Sequence, residues 1–326
     1  MIETRVTKMF GLDHPIMQGG MQRVSTAELV AAVASAGALG FLSALTQPSP
    51  ESLRKEIQRT RSLTQRDFGV NLTILPSQNP PDYEAYAQVI CESGIKVVET
   101  AGRNPEFLMP MFRRHGVRVV HKCTAVKHAL KAEQIGCDAV IIDGFEAAGH
   151  PGENDTPSLV LLPRAVASLT VPVIACGGFA NGHGLAAALS LGAEAVSMGT
   201  RFMASRESPI HQSLKDTLIA ATELDTQLIL RKFRNTARVY RNEVAIEVAR
   251  RETEIGCTFE DVSPLVSGSK GGEVLETGDL SRGIFWAGIS CGLISDTPTV
   301  AEIVERISSE AQERIQSLAS RIHVSK

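Results

Sequence analysis

The sequence predicts an α/β fold: a closed TIM (β/α)8 barrel carrying a smaller, mainly helical inserted domain. Three observations predict it. Short apolar runs of β type alternate with segments of helical period from residue 14 to about 200, and glycines close several of the helical segments just before the next strand. Eight such strands can be counted before the alternation stops, and eight parallel strands linked by helices suggest closure on themselves. An open, doubly wound sheet is the alternative arrangement.

The elements follow in order. His14-Pro15-Ile16-Met17-Gln18 is the first strand, and Ser25-Thr26-Ala27-Glu28 reads as a capping box opening an Ala- and Val-rich helix to Ala36. Gly37, Gly94, Gly116, Gly136 and Gly192 sit where helices end, a place where glycine adopts the left-handed conformation at little cost. The strands GFLSA (40–44), KVVET (96–100), RVVHK (118–122), AVIID (139–143) and AVSMG (195–199) come directly after them. FGVNLT (68–73) and VPVIAC (171–176) supply the remaining two.

After Arg201-Phe202-Met203 the pattern becomes helical and charged up to about residue 274, with a Gly-rich turn expected at Ser267 to Gly272. Residues 1–209 and 275–326 are accordingly assigned to the barrel, and 210–274 to a small helical domain covering the active site. The basic run Arg231 to Arg241 is read as a solvated or interdomain helix in preference to a phosphate-binding face. The chain then returns to GIFWAGISCGLI (283–294) and a long helix from about Thr299, expected to pack back on the barrel.

Composition narrows the function. The 326 residues carry a formal charge of −3, which offers no general attraction for nucleic acid or an anionic membrane. Although 43% of the residues are apolar, no run approaches the roughly 18 to 20 needed to span a bilayer, so a soluble protein is expected. The opening MIETRVTKMFGL has neither the apolar core nor the cleavage site of a signal peptide, and no lipidation signal is evident, which makes the cytoplasm the expected location. Six cysteines stand singly at 91, 123, 137, 176, 257 and 291, without metal-ligand spacing, and read as buried reduced thiols.

In such a barrel the chemistry lies on the loops after the strands, and phosphate commonly binds after the seventh and eighth. Gly177-Gly178-Phe179 precedes a helix beginning near Gly182, and Gly199-Thr200 follows the eighth strand; both offer close backbone approach to an anion, or else only tight turns. The G-x-G-x-x-G dinucleotide fingerprint is absent, which favours a mononucleotide such as FMN. Gly19-Gly20-Met21-Gln22, after the first strand, permits a flat ring against backbone, or is an ordinary turn. Lys122 ends the fifth strand, where it can stabilise charge on a reduced flavin or serve as a structural ion-pair partner. The sixth strand runs into Asp143-Gly144-Phe145-Glu146-Ala147-Ala148-Gly149-His150-Pro151-Gly152, and His150, held between Gly149 and Pro151, is the candidate acid or base.

At these loops the sequence resembles the nitronate monooxygenase (2-nitropropane dioxygenase) family, and most its bacterial NADH:quinone reductase branch. The landmarks are HPIMQGGMQ (14–22), FGVNLTILPSQ (68–78), HKCTAV (121–126), DGFEAAGHPGE (143–153), GGFANGHGL (177–185) and MGTRF (198–202). The resemblance implies FMN contacted by Gly20, Met21, Gln22, Thr73, Lys122, Gly149, Gly177, Gly178, Gly199 and Thr200, with His150 facing the substrate. It implies oxidation of alkyl nitronates with O2 or, on the same site, of NADH with quinone as acceptor. The Pro-rich stretch Leu75 to Pro81, with Pro76 and Gln78 as the substrate or NADH loop, leans towards the latter, unless it is merely a rigid turn. An FMN-dependent enoyl-thioester reductase and a non-catalytic flavin carrier are the alternatives. The expected partner is a small molecule; no metal is expected, and a homodimer is left open.

Overall fold

The computed structural model describes residues 2–75 and 80–322. Eight parallel strands form a closed barrel in chain order: β1 (Ile16–Gln18), β2 (Leu39–Ser43), β3 (Gly69–Ile74), β4 (Val97–Gly102), β5 (Arg118–Cys123), β6 (Ala139–Asp143), β7 (Val173–Cys176) and β8 (Ala195–Met198). Closure is made by β1 on β8, with Met17 opposite Ser197. The sequence reading placed every one of these strands. It also placed the helix ends, for Gly37, Gly94, Gly116, Gly136 and Gly192 all have positive φ.

Period-two alternation divides the strand residues between two cores. Met17, Leu39, Phe41, Val97, Val120, Ala139, Ile141, Ile174 and Ala195 fill the barrel interior, and Val6 of the helix Arg5–Phe10 packs beneath them. That helix is tied to the lower rim, with Thr4 Oγ1 donating to the Glu194 carbonyl and Arg5 paired with Glu194 at 2.7 Å. Their neighbours in sequence, such as Ile16, Leu42, Val70, Leu72, Val98, Val119, Val140, Ile142 and Val196, face the helical layer instead. The terminal helix Val300–Ala319 joins that layer, capped by a reciprocal Thr299–Glu302 box and packed on the helix Gly182–Ser190.

Three local expectations are corrected. The box at Ser25 to Glu28 does not form, because the Ser25 hydroxyl accepts from Met21 N and the Gln18 amide at 2.8 Å, and the first helical amide, Ala27 N, is met instead by Glu56 Oε1. The run from Arg231 to Arg241 is not a helix. It holds a 3-10 turn (Arg231–Phe233) and β10 (Ala237–Tyr240), which pairs antiparallel with β9 (Thr226–Ile229). Pairing and burial explain it: Ala237 and Val239 enter a small apolar core on one face, while Arg238 between them is buried on the other. Ser267 to Gly272 is also not a turn but leads into a helix, Gly268–Thr277. Its glycines serve close packing: a Cβ on Gly272 would lie 2.4 Å from the Arg23 guanidinium.

The hairpin has its own small core. Ile229, Leu230, Ala237 and Val239 pack with Ala245 and Val248 of the helix Glu243–Glu252, with Val262 and with Ile284. Leu214 and Leu218, on the helix Gln212–Ala220, belong instead to the main core. Of the six cysteines, all free, five are buried and Cys257 is only partly so, which departs from the expectation for that residue. No helix among the described residues is long and apolar enough to cross a membrane.

Candidate active site

The barrel interior changes character towards its upper end. One step above the apolar layer, the same alternation places Gly19, Ser43, Asn71, Lys122, Asp143, Cys176 and Ser197 on the floor of a cavity of about 410 Å3, with Glu99 fully buried among them. The loops after the strands form the walls. Every described residue singled out from the sequence lines this cavity: Gly20, Met21, Gln22, Thr73, Lys122, Gly149, His150, Gly177, Gly178, Gly199 and Thr200. Pro76 and Gln78 lie outside the described residues; their flanks, Leu75 and Pro81, line the same cavity.

On one side, Gly177 and Gly178 have φ of 84° and 86°. A Cβ on Gly177 would meet the Gly144 backbone at 3.0 Å and Ala147 N at 3.2 Å, so only glycine lets the loops after β6 and β7 approach so closely. At the end of the neighbouring strand β8, a Cβ on Gly199 would meet only the Met21 side chain, with Sδ at 3.5 Å, leaving bare backbone on the wall. The Thr200 hydroxyl accepts from Gly288 N at 3.1 Å, so its own hydrogen is available to a ligand. Bare backbone at the ends of β7 and β8, beside a hydroxyl, suits a phosphate.

Beneath the opposite wall lies a buried polar network. Glu99 Oε1 receives the Asn71 amide at 2.8 Å and Gly20 N at 3.4 Å, and Lys122 Nζ stands 3.7 Å away. Asn71 Oδ1 in turn accepts from Thr73 Oγ1 at 3.0 Å. Burial opposes the charge on Lys122, but the neighbouring Glu99 carboxylate outweighs it and holds the ammonium protonated above the usual lysine range. Burial raises the Asp143 carboxyl despite Lys122, and burial together with Asp143 raises the Cys176 thiol, so Cys176 is no thiolate nucleophile. Glu99 Oε2, Asp143 Oδ1 and Ser197 Oγ find no hydrogen-bond partner among the described residues. Such orphaned polar atoms mark a place that a polar ligand completes.

His150 stands at the mouth, its ring 5.6 Å from that of Trp286. Crowding by the surrounding protein lowers its pKa, partly offset by Glu153 and by a hydrogen bond with Asn235, while the residue itself stays exposed to solvent. The loop bearing it is fastened to the hairpin. Gly149 N donates to Arg238 O at 3.1 Å and Arg238 N to Gly149 O at 2.6 Å, while Thr236 bonds the Glu153 carboxylate through both backbone and hydroxyl. The buried Arg238 guanidinium bonds Phe145 O and lies 4.5 Å over the Phe145 ring.

Sequence reasoning missed Asn71, Glu99, Asp143, Ser197, Trp286 and Arg238. Four of them were legible in principle: Asn71, Glu99, Asp143 and Ser197 are polar positions in otherwise apolar strands, at the inward phase of the alternation. Trp286 and Arg238 arrive from distant segments and had no local signal.

The family description "Nitronate monooxygenase" matches residues 3–310. The chain belongs to the nitronate monooxygenase family. Among its relatives, a probable nitronate monooxygenase of Staphylococcus aureus (strain N315) is 30% identical over 78% of this chain and 82% of its own. A Rhodococcus jostii protein named (3aS,4S,5R,7aS)-5-hydroxy-7a-methyl-1-oxo-octahydro-1H-indene-4-carboxyl-CoA dehydrogenase is 30% identical over 98% of both chains. In structure, FabK from Thermotoga maritima superposes with a TM-score of 0.91 at 35% identity, covering 99% of this chain and 100% of that one. Nitroalkane oxidase from Streptomyces ansochromogenes gives 0.82 at 26%, covering 96% and 99%. This nitronate monooxygenase family member is therefore an oxidoreductase built on a TIM barrel.

Proposed function

We propose that this family member is an FMN-dependent oxidoreductase in which His150 handles a proton on a small substrate bound over the cofactor. The observation that carries this reading is the meeting, in one cavity, of a bare-backbone cradle at the ends of β7 and β8, a buried cation at Lys122 and a histidine at the mouth. FMN, when bound, supplies the capacity to accept and pass on electrons. Everything else falls to the chain. Gly177, Gly178, Gly199 and Thr200 hold the phosphate, while Gly20, Met21, Gln22, Thr73 and Gly149 bound the ring. Lys122 favours the electron-rich reduced cofactor. Residues 210–274 serve as the cover, a role supported by the hairpin's hold on Gly149.

For donor and acceptor we favour NADH and a quinone over alkyl nitronate and O2; this rests on the resemblance of the stretch from Leu75 to Pro81. His150 would then protonate the quinone, or in the nitronate reaction orient and deprotonate the nitroalkane. An acyl-thioester substrate is the second reading. It is favoured by the full-length relative named for a carboxyl-CoA substrate and by an apolar wall of Leu45, Leu75, Tyr83, Met203, Leu275 and Trp286.

Anaerobic mixing of the yellow protein with NADH, NADPH or an alkyl nitronate, followed at the flavin absorbance, separates these readings. Bleaching by NADH, with colour restored by a quinone, supports the reductase. A response to nitronate alone selects the monooxygenase, and NADH-dependent loss of an enoyl-CoA selects the thioester reductase. A colourless protein that cannot be reconstituted with FMN overturns the whole proposal.

A further inference from the structure

The buried carboxylate of Glu99, described so far only as the counter-charge of Lys122, joins three separate walls of the cavity. Its Oε1 receives Asn71 of β3, Gly20 of the loop after β1 and the ion pair from Lys122 of β5. Those three elements carry Thr73, the segment Gly20 to Gln22 and Lys122, the residues assigned to one side of the cofactor. The geometry is tight. A Cβ added to Gly19 would lie 3.0 Å from Ser197 Oγ, 3.3 Å from Lys122 Nζ and 3.7 Å from Glu99 Oε2, so ammonium and carboxylate converge on the floor itself. Glu99 is fully buried, and Oε2 has no partner among the described residues, so nothing but Lys122 balances its charge nearby.

Structural support alone does not require a carboxylate. An amide at this position could still accept from Asn71 and Gly20, and burying a full charge is expensive unless the charge serves a purpose. We propose that Glu99 is a positioning residue with an electrostatic role: it anchors Lys122 and the β1 loop against the cofactor, and its negative charge weakens the pull of Lys122 on the reduced form. The inference rests on the FMN reading above. It makes Lys122 and Glu99 an opposed pair, in which the cation raises the reduction potential of the bound cofactor and the carboxylate holds it down.

The experiment measures the midpoint potential of bound FMN by redox titration, together with FMN dissociation from the oxidised protein. Glu99→Gln keeps the hydrogen-bond acceptor and removes the charge. It should shift the midpoint in the positive direction, equivalent to roughly tenfold tighter binding of reduced relative to oxidised FMN. Lys122→Met should shift it the other way. Should Glu99→Gln leave Lys122 too poorly paired to fold, the comparison is made in a Lys122→Arg background, where the cation persists with or without its partner, and Lys122→Arg/Glu99→Gln must titrate positive of Lys122→Arg. An unchanged midpoint in Glu99→Gln, or in the double variant against its parent, overturns the electrostatic role, even where FMN dissociates faster; faster loss without a shift is the signature of a purely structural residue. Failure of the wild-type protein to bind FMN refutes the cofactor reading instead, and the two failures are thereby distinct.

Discussion

Two histidines, one in the loop after β6 and one on the neighbouring strand β5, show how placement alone decides what a residue does. His150 sits at the cavity mouth with a lowered pKa. Replacing it with alanine should leave FMN bound and reduce turnover by roughly 10²- to 10⁴-fold, the usual loss for a general acid or base. Steady-state kinetics beside the flavin absorbance of the same sample check it, and wild-type turnover would remove His150 from the mechanism. If His150 acts as a base, kcat/KM should fall as pH drops below the ordinary histidine range and its ring becomes protonated. His121, one strand earlier, faces away from the cavity and meets Thr100 Oγ1 at 2.8 Å. Burial drives its pKa from 6.5 to about 4. The unfolded chain therefore takes up a proton that the folded chain refuses, and stability falls as pH drops through 6.5, levelling off only near 4. The loss is on the order of 3 kcal/mol. His121→Gln should flatten this acid limb in denaturant titrations at a series of pH values.

At the scale of elements, the strongest couplings join segments far apart in sequence. Arg238→Leu removes the bonds to Phe145 O and Thr226 and the stacking over Phe145, and should cost roughly 2–4 kcal/mol of stability in urea titration, since buried polar groups lose their partners. A change within 0.5 kcal/mol would show that the hairpin does not depend on it. Gly182 marks a second contact. A Cβ there would fall 2.3 Å from Glu310 Cβ and 2.6 Å from Ala311 N and Ile307 O, so backbone must move. Gly182→Ala should displace the terminal helix and lower stability by about 1–3 kcal/mol, visible as a lower denaturation midpoint. These couplings explain what could be read in advance. The βα units were legible because strand runs such as AVIID and the glycines after the helices are local signals. The hairpin was not, because TQLI and ARVY are four-residue runs among charges, and what makes them strands is each other. The helix at Gly268–Thr277 was hidden by glycines whose purpose, contact with Arg23 and the 283–284 backbone, lies in tertiary structure.

For the molecule as a whole, the proposed cofactor would be linked to fold stability, because FMN held in this cavity would bind the folded chain alone. At a hundredfold excess over its dissociation constant, FMN should add about 2.7 kcal/mol, so the FMN-free protein should melt at lower temperature, and added FMN should restore the loss. Equal melting with and without FMN would mean that the cavity does not hold it. The cavity's location was legible from barrel geometry and its loops; of the polar floor, the inward-phase positions were legible one by one but their network was not, because Asn71, Glu99 and Asp143 reach it from three separate strands and become neighbours only when the sheet forms. One further consequence follows from the hydrogen bonds between Gly149 and Arg238. They make the residue before His150 a rung of the hairpin's ladder, so the histidine proposed to handle the proton is mechanically shared between the barrel and the hairpin. Lifting the hairpin away from the barrel would pull on His150 in the same movement, and the enzyme would be disarmed whenever it stood open to solvent.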